Sequence, residues 1–269
     1  MSALIHFAHA NGVPTPVYQE LFSYLDGYGI ITPDTAFGMH DDYAIDMHWQ
    51  ALTQQVIQSI EQQSQGKKVI AVGHSLGGIL SLQAAMQRPD LIEQLILLDP
   101  PLFVGYHALT LHLAQKTHDY FVDKISPAGL SKKRRDHWEN REQAHSLLRQ
   151  RGFFKDFSQN SFDHYIQYAL VDDQENGGVK LAVDKSKEVD IFRNLPSLYW
   201  QAQHRKTLDM PVTLIAGQDS PFVKQATAQA SAKAFGFEYM EIAGGHMFPL
   251  QFPKQTATLI QQLILQNTL

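Results

Sequence analysis

The stretch Val69-Ile70-Ala71-Val72-Gly73-His74-Ser75-Leu76-Gly77-Gly78 constrains this chain more than any other. Its apolar, β-branched first half reads as a buried strand, and Leu76 to Gln87 reads as a helix stopped by Pro89. Gly77 and Gly78 each cost that helix about 1 kcal/mol relative to Ala. A helix start that tolerates this penalty implies that something approaches its backbone closely. Between the two elements the turn lifts the Ser75 hydroxyl onto a sharp corner beside backbone donors, the geometry of a nucleophile used in acyl transfer. With 15 serines and 17 glycines in 269 residues, chance supplies about 0.06 matches to G-x-S-x-G, so the pattern is treated as a signal. The competing reading is an ordinary tight packing turn between strand and helix.

A chain with 44% hydrophobic and 10% aromatic residues can bury a large core, as one domain with an insertion or as two small domains. A net charge of -5 argues against a nucleic-acid partner. The absence of cysteine excludes disulfides, thiolate metal sites and a cysteine nucleophile. Met1 to Phe7 lacks the basic start and long apolar stretch of a signal peptide, and no apolar run is long enough for a membrane span. The expectation is a cytoplasmic protein acting on a small-molecule substrate. No closely spaced His, Asp or Glu pattern suggests zinc, so neither metal nor cofactor is expected. Oligomeric state is not legible.

Strand and helix alternate at both ends of the chain. Ala3 to Ala8, Gly29 to Thr32, Gln94 to Leu98, Val212 to Ala216 and Phe237 to Ile242 read as strands beside the Val69 run. A helix with apolar Ile45, Trp49, Leu52, Val56 and Ile60, and further helices at about Phe222 to Phe235 and Lys254 to Gln266, complete an α/β pattern. Such alternation predicts a mostly parallel sheet with helices on both faces. Between Pro101 and Leu208 the character becomes helical, with Ser131 to Gln150 as the clearest helix and residues 172–178 as a loop. The predicted organisation is a core of residues 1–100 and 209–269 with a helical cap of residues 101–208 inserted into it. The basic cluster Lys132-Lys133-Arg134-Arg135 in that cap suits either an anionic substrate or a solvated helix face.

Ligands of open parallel sheets sit beyond the carboxyl ends of the strands, so the loops there are where partners for Ser75 belong. Of 13 histidines, His246 follows the last strand directly and is the candidate general base, because imidazole titrates near neutrality. A carboxylate must fix its tautomer. Asp219 and Asp99 both end strands, and Asp219 is preferred because it gives the order Ser, Asp, His; a helix cap is its alternative role. One oxyanion donor is expected from the backbone N–H of Leu76, and a second from the loop His9-Ala10-Asn11-Gly12. Candidate substrate-contacting residues are His9 and His74 and, in the cap, Phe103, Tyr106, His107, Trp138 and Tyr199, each of which could instead be core.

The elbow Gly73-His74-Ser75-Leu76-Gly77-Gly78, the turn beginning at His9, Gly217-Gln218-Asp219 and Gly245-His246 together resemble the α/β-hydrolase superfamily, in its capped serine esterase-like branch. The resemblance runs from Ala3 to the C-terminal helix and implies Ser75 as nucleophile, His246 as base, Asp219 as acid, and Asn11 and Leu76 as backbone oxyanion donors. It also implies about six strands, since the family's extra N-terminal hairpin is absent. Ala10 and Gly12 depart from the family's usual His-Gly-x-Pro turn, and residues 34–41 form a longer loop than usual that is expected to border the pocket. Because position 75 is Ser, branches with an Asp nucleophile are disfavoured. The expected activity is hydrolysis of a small ester through an acyl-serine. Thioester, lactone or carbon-carbon bond hydrolysis, a lyase or synthase using the same Ser-His pair, and a non-catalytic ligand receptor are the alternatives.

Overall fold

A computed structural model describes residues 3–198, 208–222 and 224–267 of this chain. Its strands are Leu4–Ala8 (β1), Gly29–Ile31 (β2), Val69–His74 (β3), Ile92–Leu98 (β4), His137–Trp138 (β5), Leu170–Asp172 (β6), Val179–Leu181 (β7), Val212–Gly217 (β8) and Glu238–Ile242 (β9). Six of them form a sheet of order β2-β1-β3-β4-β8-β9 in which every neighbouring pair is parallel.

The period-two rule accounts for this sheet. Ile5, Phe7, Ile70, Val72, Ile96, Leu98 and Ile215 pack on one face, and their chain neighbours Ala8, Val69, Ala71, Leu95, Leu97, Leu214 and Ala216 on the other. Both faces are covered, which is why these strands are apolar throughout rather than alternating with polar residues. The helices Gln19–Ser23 (α1) and Pro253–Gln266 cover the first face; Gln50–Gln63 (α2), Leu76–Gln87 (α3) and Gln225–Phe235 cover the second. Leu76, Ile79, Leu80 and Leu82 of α3 are fully buried. At about 1.5–3 kcal/mol each, their burial outweighs what the two glycines cost that helix.

The insertion between β4 and β8 carries the helices Gly105–Thr117 (α4), Asp119–Ile125 (α5), Ala128–Lys133 (α6), Arg141–Arg149 (α7), Gln159–Tyr168 (α8) and Lys185–Arg193 (α9). Two expectations need correction here. The segment from Ser131 to Gln150 is not one helix: Ser131 lies buried inside α6, the chain then extends through β5, and α7 starts afresh where the Asn140 side chain accepts the Gln143 N–H. Nor is the insertion purely helical, because β5, β7 and β6 form a small antiparallel sheet. Residues 173–178 are the turn of its β6–β7 hairpin, held by the Asp173 carboxylate, which accepts from the N–H groups of Glu175 and Asn176. Burial of Trp138 in the core explains the break, since a continuous helix would not have paired that residue with Val179. Ile45 and Trp49, expected within the helix of Leu52, lie outside α2, which begins at Gln50.

Candidate active site

Strand order places the site. The chain passes from β1 outward to β2 and then crosses back to β3 on the other side of β1, so the loops after β1 and β3 diverge at one point, where open α/β sheets bind ligands. Ser75 follows β3 there with φ of 54° and ψ of -114°, a backbone conformation that non-glycine residues rarely adopt. The packing that imposes it is visible at Gly77, where a Cβ would stand 2.1 Å from the Ala8 carbonyl oxygen, and at Gly73, where one would stand 2.3 Å from the Gly77 oxygen. Glycine is therefore required on both sides of the corner, as the cost to α3 suggested.

Nε2 of His246 lies 3.0 Å from the Ser75 hydroxyl, and its Nδ1 lies 2.6 Å from Oδ2 of Asp99. Asp99 is fully buried, and its carboxylate also accepts from the Gly217 N–H at 2.9 Å and from the Ser220 hydroxyl at 2.6 Å. An ionised carboxylate only accepts, so Nδ1 of His246 carries the proton and the Nε2 lone pair faces the serine hydroxyl. The ring is half-enclosed, with Phe222 edge-on at 5.0 Å.

Asp219 does not hold the imidazole, contrary to the sequence-based preference. It is exposed, and its backbone N–H donates to the Gly244 oxygen at 2.9 Å. The reason is geometric. Asp99 directly follows β4, the immediate neighbour of β3, whereas Asp219 lies two residues past the end of β8 and turns outward. The Gly217–Ser220 segment contributes instead the two donors that hold Asp99.

Leu76 is the first residue of α3, so its N–H has no acceptor within that helix. Asn11 and Leu76 both line the cavity that contains Ser75 and His246. The Asn11 side chain donates to the Glu188 carbonyl of α9 at 3.0 Å, tying the loop after β1 to the insertion. The neighbouring Ala10 N–H is engaged with the Tyr18 hydroxyl at 3.3 Å.

His9 and His74, expected among the substrate contacts, lie behind the cavity wall and do not line it. Nδ1 of His9 bonds the Ala10 oxygen and its Nε2 accepts the Phe37 N–H at 3.2 Å, with burial lowering its pKa to about 4. The Phe37 ring lies tilted against that of His9 at 4.4 Å between centroids, and none of residues 34–41 lines the cavity, contrary to the expectation that this loop borders it. His74 joins two parts of the site. The Ala10 N–H donates to the Tyr18 hydroxyl, that hydroxyl donates to Nδ1 of His74 at 2.7 Å, and Nε2 of His74 donates to the His246 carbonyl at 2.8 Å. Because one end of this chain only donates and the other only accepts, every proton in it has one place. Burial lowers the His74 pKa to about 3, so the relay stays neutral. Nothing in the sequence marked Tyr18 as a partner of the elbow.

The cavity measures about 840 Å³. Phe103, Tyr106, His107 and Trp138 line it, Tyr106 and His107 being exposed and Trp138 buried. Tyr199 lies outside the described residues. The insertion adds a pair that sequence reasoning missed: Arg134 Nη2 lies 2.5 Å from Glu188 Oε1, a charge contact without hydrogen-bond alignment, and Glu188 is buried. No helix among the described residues is long and apolar enough to cross a membrane.

A parallel six-stranded sheet with a serine on the strand-to-helix corner and a histidine after its last strand defines the α/β-hydrolase class. Residues 7–259 match the alpha/beta hydrolase family, and the chain belongs to it. It is similar to the sn-1-specific diacylglycerol lipase ABHD11 of Xenopus laevis, with 27% identity over 208 residues that make up 77% of this chain and 59% of that protein. The chain thus spans less than two thirds of that relative. Among solved structures, it shares its fold with E-2-(acetamidomethylene)succinate hydrolase, at a TM-score of 0.74 and 18% identity over 98% of this chain and 92% of the other. It shares it too with the peroxisomal alpha-beta-hydrolase Lpx1 of Saccharomyces cerevisiae, at a TM-score of 0.76 and 15% identity over 97% and 76% of the two chains.

Proposed function

We propose that this protein is a serine hydrolase that cleaves a small ester through an acyl-serine intermediate, with Ser75, His246 and Asp99 as its catalytic triad. The observation that carries this reading is the unbroken chain from the Ser75 hydroxyl through His246 to Asp99, opening on a cavity. His246 Nε2 takes the hydroxyl proton as Ser75 Oγ attacks the acyl carbon. The carbonyl π electrons move to oxygen, and the backbone N–H groups of Leu76 and Asn11 stabilise the oxyanion; each such donor is worth about 2.7–4 kcal/mol in comparable sites. The imidazolium, stabilised by Asp99, returns its proton to the departing oxygen as the acyl–oxygen bond breaks. Water then repeats the sequence on the acyl-serine. Residues 101–208 act as the cap that selects the acyl group.

Incubation with a fluorophosphonate probe is expected to label Ser75, detected as a single modified peptide by mass spectrometry. Absence of labelling and of p-nitrophenyl butyrate hydrolysis in the folded protein would overturn the reading. Loss of both in Ser75→Ala, by orders of magnitude, ties them to this residue.

A further inference from the structure

We propose that the substrate is an amphiphile: an apolar body carrying a carboxylate or phosphate, with the anion held at the cavity mouth by Lys133, Arg135 and Arg151. This inference rests on the ester-hydrolase reading and names its substrate class.

Of the insertion's cations that do not line the cavity, Lys132 is matched with Asp123, Arg141 with Asp172, Lys180 with Asp173, Lys185 with Asp136, and Arg193 with Asp119 and Asp123, whereas Lys116, Arg149 and Lys187 have no carboxylate within 4.0 Å among the described residues. Of those lining the cavity, Arg134 meets Glu188 and Lys124 lies over the Tyr120 ring. Lys133, Arg135 and Arg151 line it and are exposed, which places them at its opening, and none has a carboxylate within 4.0 Å among the described residues. The contrast is sharpest within one run of sequence, where Lys132 is paired and Lys133, beside it, is not. Glu188 is the one acidic residue of the cavity wall among the described residues, and its charge is committed to Arg134. A chain with a net charge of -5 therefore presents a positive opening to its site, where field lines concentrate and attract anions.

Below that opening the wall is apolar, with Phe103, Trp138, Phe154 and Phe222 among its residues, and the Arg135 guanidinium lies 6.0 Å from the Trp138 ring. A neutral ester would use the apolar wall and leave the cations idle; a small polar anion would do the reverse. An amphiphile engages both.

The test compares matched substrates. One pair is mono-p-nitrophenyl suberate against p-nitrophenyl octanoate, which places a carboxylate on the acyl end; the other is octanoyl-coenzyme A against octanoyl-N-acetylcysteamine, which places phosphates on the leaving group. In at least one pair kcat/KM is expected to favour the anion by about tenfold or more, and the preference to shrink as salt is raised. The variant Lys133→Gln/Arg135→Gln/Arg151→Gln should cut that ratio at least about tenfold, while Lys132→Gln retains it. Ratios near one in both pairs, or a preference insensitive to the triple variant, overturn the proposal. If none of the four compounds is hydrolysed, the ester reading fails separately. Calorimetric binding of monomethyl suberate and octanoyl-coenzyme A to the native protein then decides: binding lost in the triple variant sustains the anion site, and absence of binding ends it.

Discussion

Oδ2 of Asp99 and Nδ1 of His246, separated by 147 positions in the chain, lie 2.6 Å apart. The carboxylate that holds the His246 ring thus follows the strand beside the one that leads to Ser75, at the point where the chain leaves the sheet for the insertion.

Asp99→Asn is therefore expected to lower kcat by about 10³–10⁴-fold, because an amide at that position favours the wrong imidazole tautomer. Asp219→Asn, on an exposed side chain, should leave kcat nearly unchanged. Measuring both with p-nitrophenyl butyrate assigns the acid, and a reversed pattern would return the role to Asp219.

Gly77→Ala places a Cβ 2.1 Å from the Ala8 oxygen, while at Gly66, with φ of 76°, a Cβ meets nothing within 4 Å. The second substitution costs about 1–2 kcal/mol of left-handed strain. The first must displace β1 or α3 and should cost more than that, with activity lost, as the elbow shifts. Urea midpoints of the two variants make the comparison.

Tyr18→Phe leaves the buried Nδ1 of His74 and the Ala10 N–H without the partner they share. Loss of about 1–3 kcal/mol of stability is expected. If the relay positions the loop after β1 and His246 together, kcat falls while KM changes little. An effect on stability alone would make the relay purely structural.

His6 and His74, with pKa values lowered to about 3, and His9, lowered to about 4, are all fully buried. Between these values and the ordinary value near 6.5 the unfolded chain binds protons that the folded chain does not, so stability falls as pH drops through that window. Each histidine contributes a slope approaching about 1.4 kcal/mol per pH unit. Urea denaturation from pH 7 to pH 4.5 should show this loss, and His6→Asn should reduce the slope by about one histidine's share. A flat profile would mean that these rings are not held neutral.

Much of this was legible in local sequence. The six strands, the elbow, the pairing of Ser75 with His246, and the positions of Leu76 and Asn11 on one cavity followed from periodicity, glycine placement and loops after strands. Asp99 was legible only as an alternative, since chain order cannot tell which of two strand-ending aspartates faces inward. Tyr18 carried no signal, because its partner His74, at the end of β3, is brought to it only by the packing of the segment after β1 against that strand. The split of residues 131–150 was hidden for a similar reason: Trp138 leaves the helical pattern to pair with Val179, 41 positions on.

By itself the amino-acid sequence determined what depends on neighbours along the chain: the strained corner at Ser75, the apolar strands covered on both faces, and a histidine free to follow the last strand. Only the tertiary structure decided what depends on which loop ends face one another. It chose Asp99 over Asp219, turned His9 and His74 from the cavity into its support, and set Lys133 on the cavity wall while Lys132 met an acid. The physical reason is that hydrogen bonds and ion pairs act over about 3–4 Å in space, a distance that spacing along a chain does not specify.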